Sequence, residues 1–177
     1  MADYAFKSTA LTEVVLPYSL TEVSSTAFGD CYSLTTVTFT GTQEEWDALD
    51  VQFPDSTPEV ICAGKSGTAG SGTTWRFNGV TGEFTVSGTG TMAYYTTSNP
   101  APWTDFRDEI VTVTIEEGVK NVSSESFYRC TSLKNVNLPD TVTTIGGCAF
   151  EKTSIESIVI PDSVTHILSG AFRCRDC

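Results

Sequence analysis

The sequence predicts a β-rich repeat solenoid, a right-handed superhelix with a parallel sheet, in two repeat segments separated by a small β cap module. Three observations carry this. Ile110-x-x-Val113-x-Ile115, Leu133-x-x-Val136-x-Leu138 and Ile155-x-x-Ile158-x-Ile160 recur at spacings of 23 and then 22 residues. Each opening is followed at fixed offsets by further apolar positions: Val119, Val122 and Phe127; Val142, Ile145 and Phe150; Val164, Ile167 and Phe172. Within each opening, apolar residues alternate with the rest, the period of a strand. A repeat of this length opening L-x-x-L-x-L marks a leucine-rich-repeat solenoid.

One unit cannot fold alone. Its buried apolar side chains stabilise by roughly 1.5–3 kcal/mol each, while ordering its backbone costs about 1–2 kcal/mol per residue. Stacking is therefore required, and it predicts a core column of Phe127, Phe150 and Phe172. The openings become parallel strands with Val113, Ile115, Val136, Leu138, Ile158 and Ile160 inward. The outward residues Thr112, Thr114, Asn135, Asn137, Ser157 and Val159 form one continuous strip.

In chain order, residues 1–51 read as the end of a first array. Asp3-Tyr4-Ala5-Phe6 matches the end of a unit, Leu11 to Ser33 is a full one, and Leu34-x-x-Val37-x-Phe39 opens the next. The chain thus starts and stops inside repeats and reads as an excerpt of something longer. Thr42-Gln43-Glu44-Glu45 is a capping-box sequence, so a short helix carrying Trp46 and Leu49 is expected to fold over the end of the first array. Residues 52–73, with Pro54, Pro58 and a Gly/Ser/Thr/Ala run from Gly64 to Gly72, read as a flexible linker. Residues 74–109 read as a small β cap: Trp75-Arg76-Phe77 and Glu83 to Val86 flank a turn-rich Asn78 to Gly82, a hairpin signal. Residues 110–177 are the second array, whose exposed first repeat such a cap must cover.

At this point the units at Leu11–Phe28 and Ile155–Phe172, written L-x-x-V-x-(L/I)-P-x-S-(L/V)-T-x-(V/I)-x-x-x-A-F, resemble the BspA-like leucine-rich repeats of bacterial surface proteins. The stretch from Cys62 through Trp75, Val86 to Met92 and Ala101-Pro102-Trp103 looks like the module that precedes such arrays, and Thr40-Gly41-Thr42…Trp46 is similar to the element that closes them. Ser126 in place of Ala, the lack of Pro after Ile115 and the Cys-rich ending depart from the pattern. The resemblance implies a secreted or surface-attached protein that binds host proteins, including matrix and plasma proteins, as an adhesin.

Composition narrows the function classes. Among 177 residues, charged residues make up 18% and the net charge is −12. That charge repels phosphate, and no Lys/Arg stripe appears, which argues against nucleic acid and equally against anionic lipid. Neither a signal peptide nor an apolar run long enough to span a membrane is present.

Motifs that can carry chemistry are weak. Gly64-Lys65-Ser66 lacks the upstream glycine of a phosphate loop, since position 59 is Glu. Cys174-Arg175-Asp176-Cys177 has C-x-x-C spacing but closes a solenoid unit, and a second pair for zinc is missing. Cys31 and Cys130 share one repeat phase and read as buried small apolar residues. The lone His166 falls at a polar phase and is expected in a solvated loop. Asn121-Val122-Ser123 fits a glycosylation sequon, of little meaning in a bacterial protein. No catalytic pair, metal set or cofactor site is marked.

The sequence therefore predicts a non-enzymatic binding protein, secreted or at the cell surface, with a host or matrix protein as partner on the Thr112/Thr114/Asn135/Asn137/Ser157/Val159 strip. The alternatives are a glycan binder stacking sugars on Trp75, Tyr94, Tyr95 and Trp103, whose bland reading is an apolar plug, and a structural spacer without a partner.

Overall fold

The alternation in the repeat openings becomes short parallel strands. The structure, a computed structural model, describes residues 1–174. It forms two compact units: Met1–Lys65 with Asn78–Val80, and Ser66–Phe77 with the chain from Thr81 onward.

In the first unit β1 (Glu13–Leu16), β2 (Thr36–Phe39) and β3 (Glu59–Cys62) lie in that order, each pair parallel. Their register aligns Val14 with Val37 and Val60, and Leu16 with Phe39 and Cys62, so one face of the sheet supplies the core. Between β2 and β3 runs α1 (Gln43–Ala48), whose Thr42–Glu45 capping box is complete in both directions. Trp46 on α1 is buried and packs on Phe39 and Phe53. Phe6 stacks on Phe28, and Phe53 meets Phe28 at a tilt of 44°, both with ring centroids 5.1 Å apart.

In the second unit β4 (Gly64–Asn78), β5 (Glu83–Met92), β6 (Thr112–Ile115) and β8 (Asn135–Asn137) are neighbours in that order. A 3-10 helix, η1 (Thr104–Glu109), precedes β6. A second sheet, absent from the sequence expectations, joins β7 (Asn121–Val122), β9 (Thr144–Ile145) and β10 (His166–Ile167) in parallel. The expected aromatic column is present: Phe127 stacks on Phe150 at 5.5 Å and 6°, and Phe150 on Phe172 at 5.4 Å and 12°. Trp103 extends it, stacking on Phe127 at 5.7 Å.

Residues 52–73 are not the flexible linker their composition suggests. They hold β3 and more than half of β4. Glu59 N donates to Thr35 O at 2.8 Å and Ala63 N to Phe39 O at 2.8 Å, which locks β3 onto β2 as a further rung. In β4 and β5 the glycines serve close approach rather than flexibility. A Cβ at Gly90 would lie 2.0 Å from Ser71 O, and one at Gly70 2.3 Å from Thr91 O. These contacts, with Thr74 against Ser87 at 3.1 Å and Ala93 N donating to Ala69 O at 2.7 Å, run antiparallel and extend the expected hairpin back to Ala69.

The third opening also differs from expectation. Residues 155–160 form no strand, and among the described residues no backbone hydrogen bond ties them to β8. The ladder ends at Ser154 N, which donates to Leu133 O at 3.0 Å. Val136, Leu138, Ile158 and Ile160 are only half-buried, so the packing that holds β6 to its neighbours is weaker here.

Candidate functional site

The sheet β4-β5-β6-β8 has one face in the core and one outward. Val113 and Ile115 are buried, and Phe84 and Val86 lie beside them on β5. The pleat turns the intervening residues out. The parallel register pairs Thr112 with Asn135 and Thr114 with Asn137, and it carries the same rows back to Glu83 and Thr85 on β5. Asn137 Nδ2 donates to Thr114 Oγ1 at 3.2 Å, which fixes one amide along the ladder. Asn135 and Asn137 are exposed, and Thr112 and Thr114 half-exposed.

Ser157 and Val159 do not continue these rows. They lie across a groove of about 420 Å³ from Asn135 and Asn137, with Asp140 and Pro161 also on its walls. The strip is thus continuous over β5, β6 and β8 and interrupted before Ser157. Val159 is 84% exposed. The contribution of β5 was missed from sequence because its Gly-rich second half hides the repeat phase of Glu83 to Val86.

The cap aromatics separate sharply. Trp75, Tyr95 and Trp103 are buried, and Tyr94 is 69% exposed. Trp103 Nε1 donates to Ser126 O at 2.6 Å, and its ring packs on Trp75, Phe84, Tyr95 and Phe127. Tyr95 donates its hydroxyl to Ala69 O at 2.7 Å, and burial pushes its pKa up to about 12. Of the four, Tyr94 alone is exposed; Tyr95 and Trp103 fill the cap's interior over the first repeat, and Trp75, though buried, borders a cavity of about 410 Å³ with Thr74, Arg76 and Ser87.

Elsewhere the chemistry is structural. Cys31 and Cys130 are buried free thiols, and burial pushes Cys130 up to about 12, far from the thiolate needed for nucleophilic or redox work. Cys174 is disulfide-bonded, while Cys177 of the C-x-x-C pair lies outside the described residues. His166 is exposed on β10, in register with Thr144 on β9. Asn121 of the sequon accepts from Met92 N at 2.9 Å, tying the first repeat to the cap. Gly64-Lys65-Ser66 starts β4, and no helix follows it. Among the described residues no group of three or more His, Cys, Asp or Glu is placed to hold a metal.

Among the described residues Glu151 is the one buried carboxylate. Arg173 donates to it at 2.7 Å, and Lys152 lies 3.7 Å away. A hydrogen bond from the Cys148 thiol, then that from Arg173, hold its carboxyl below the usual range. This group joins the turns of neighbouring repeats.

The family described as BspA type Leucine rich repeat region matches residues 1–48 and 106–177, in six copies. A leucine-rich repeat protein of Eubacterium ventriosum has a similar structure, with a TM-score of 0.56 and 30% identity over 59% of this chain and 28% of its own. A leucine rich cell surface protein of Faecalibacterium prausnitzii aligns over 92% of this chain and 36% of its own at 28% identity, with a TM-score of 0.38. The chain therefore spans well under half the length of either solved protein. Among curated proteins nothing matches.

Proposed function

Because the chain belongs to the BspA-type leucine-rich repeat family, we propose that it is a non-enzymatic, extracellular or cell-surface module that binds a host or matrix protein through its outward sheet face. The observation that supports this most is the parallel register itself. It sets Thr112 beside Asn135 and Thr114 beside Asn137 on a hydrogen-bonded scaffold whose other face is core. Donors and acceptors held at strand spacing, about 4.7–4.9 Å, lose little conformational entropy when a partner docks. Recognition then comes from many uncharged polar contacts along a rigid face, the way repeat scaffolds use extended surfaces. Thr85 and Glu83 enlarge that face toward β5. Among the described residues no helix is long and apolar enough to cross a membrane.

Glycan stacking on the cap is the poorer alternative, since three of its four aromatics are buried. The test is binding of the purified chain to immobilised matrix and plasma proteins, beside the Asn135→Lys/Asn137→Lys variant. Binding that the variant loses while its melting temperature holds supports the sheet face. Binding that survives sends recognition elsewhere, and no binding to any of them favours a spacer.

A further inference from the structure

A chain of net charge −12 with ten Lys and Arg gathers three of those cations around one cavity. Arg107 comes from η1, Arg129 follows Phe127 by two residues, and Lys152 follows Phe150 by the same two. Arg129 and Lys152 both occupy left-handed backbone positions, with φ of 62° and 61°, so stacking sets them on neighbouring turns. The three line a cavity of about 430 Å³ with Asp108 and Thr131. Because they come from three turns, they make no basic run in the sequence.

The charge there is incompletely neutralised. Among the described residues no carboxylate lies within ion-pair distance of Arg107 or Arg129. Asp108 accepts from Thr131 Oγ1 at 2.6 Å, and Lys152 leans toward Glu151 at 3.7 Å, a carboxylate already held by Arg173. The rings add polarity: Arg129 and Lys152 both stand 5.6 Å from the centre of Tyr128, and Lys152 Nζ is 3.5 Å from its hydroxyl. A second cavity of about 160 Å³ shares Arg107 and Arg129 and is walled by Thr96, Thr97, Thr104, Tyr128 and Glu125, whose carboxylate accepts from Thr97 Oγ1 at 3.2 Å.

We infer that these adjoining cavities bind a sugar bearing one oxyanion, a sulfate or a carboxylate, with Arg107 and Arg129 on the anion and the threonine hydroxyls on the ring. Guanidinium groups pair with planar or tetrahedral oxyanions through two parallel hydrogen bonds. A polyanion does not fit, because the remaining net negative charge repels it beyond the pocket. An acidic peptide meets the same repulsion, whereas a singly charged sugar carries neutral hydroxyls that match the threonine wall. The site shares no residue with the sheet strip and is independent of it.

The experiment titrates the full chain with galactose 6-sulfate, sialyllactose and neutral lactose, at low and at physiological salt. One of the two anionic sugars binds at least about tenfold more tightly than lactose, and the preferred one identifies the oxyanion. Arg107→Gln/Arg129→Gln reduces that affinity by about tenfold to a hundredfold. Asp108→Asn, which removes one of the two carboxylates lining the cavities, strengthens binding severalfold, a gain that misfolding cannot produce. Equal affinity for lactose, unchanged affinity in the double variant, inorganic sulfate binding as tightly as the sugar, or an acidic peptide binding better than either sugar overturns the assignment.

Discussion

Replacing Phe150 by Ala probes the repeat stack where it is most enclosed. Its side chain is 1% exposed and lies between Phe127 and Phe172, with ring planes within 12° of parallel on both sides. Truncation removes a whole aromatic and leaves a cavity that the rigid strands on either side cannot close, a cost of about 3–5 kcal/mol. Phe172 is 37% exposed and has one stacking partner among the described residues. Its truncation loses only part of the transfer term and opens to water, so about 1–2 kcal/mol is expected. Urea unfolding followed by tryptophan fluorescence in a Trp46→Phe background, which leaves Trp75 and Trp103 as the reporters, reads both variants. With a slope of about 1–3 kcal/mol per molar for urea, Phe150→Ala lowers the midpoint by roughly 1–5 M and Phe172→Ala, at the same slope, by about half of that or less. Equal losses, or negligible loss for Phe150→Ala, refute the shared column.

Further outcomes follow from other contacts. Gly90→Ala places a Cβ 2.0 Å from Ser71 O, so β4 and β5 must part; a loss of about 1–3 kcal/mol is expected, and an unchanged melting temperature would restore the linker reading. Glu151 has its pKa lowered by the Cys148 and Arg173 hydrogen bonds. Its stabilisation is therefore present above the unfolded carboxyl range, near pH 4.3, and is lost as pH falls through the lower folded value. Glu151→Gln should accordingly be less stable than wild type at pH 7, with the gap closing in acid; parallel pH curves would contradict this. Trp103→Phe keeps a ring but leaves Ser126 O without its 2.6 Å donor, and about 1–3 kcal/mol of unfolding free energy should go.

Much of the fold was legible because apolar spacing is the signal that stacking needs. The columns through Phe127 and Phe150, the Thr42 capping box and the inward faces of β6 and β8 all follow from residue offsets. What escaped notice had weak local signals. Glu59-Val60-Ile61-Cys62 alternates as a strand, but Pro54, Pro58 and the following glycines read as punctuation. Phe53 joins the Phe6–Phe28 column although α1 displaces it from the repeat spacing. The second sheet consists of two-residue strands, too short for any period to register. Conversely, Ile155-x-x-Ile158-x-Ile160 has the strand pattern without the pairing, because a pattern states which face is apolar and not whether a neighbour holds it. On the candidate site, Thr112, Thr114, Asn135 and Asn137 were placed on one face by alternation alone. The cationic pocket was not visible, since Arg107, Arg129 and Lys152 meet only when the turns stack.

The most direct test of recognition by the sheet face compares two variants of equal charge against the same immobilised host protein. Asn135→Lys/Asn137→Lys alters the outward rows where they cross β8, while Thr143→Lys/Thr165→Lys adds the same two charges at exposed positions away from them. A dissociation constant that rises about tenfold or more for the first variant and stays within twofold for the second is the predicted result. Equal weakening of both, or none in either, would contradict recognition by the strip.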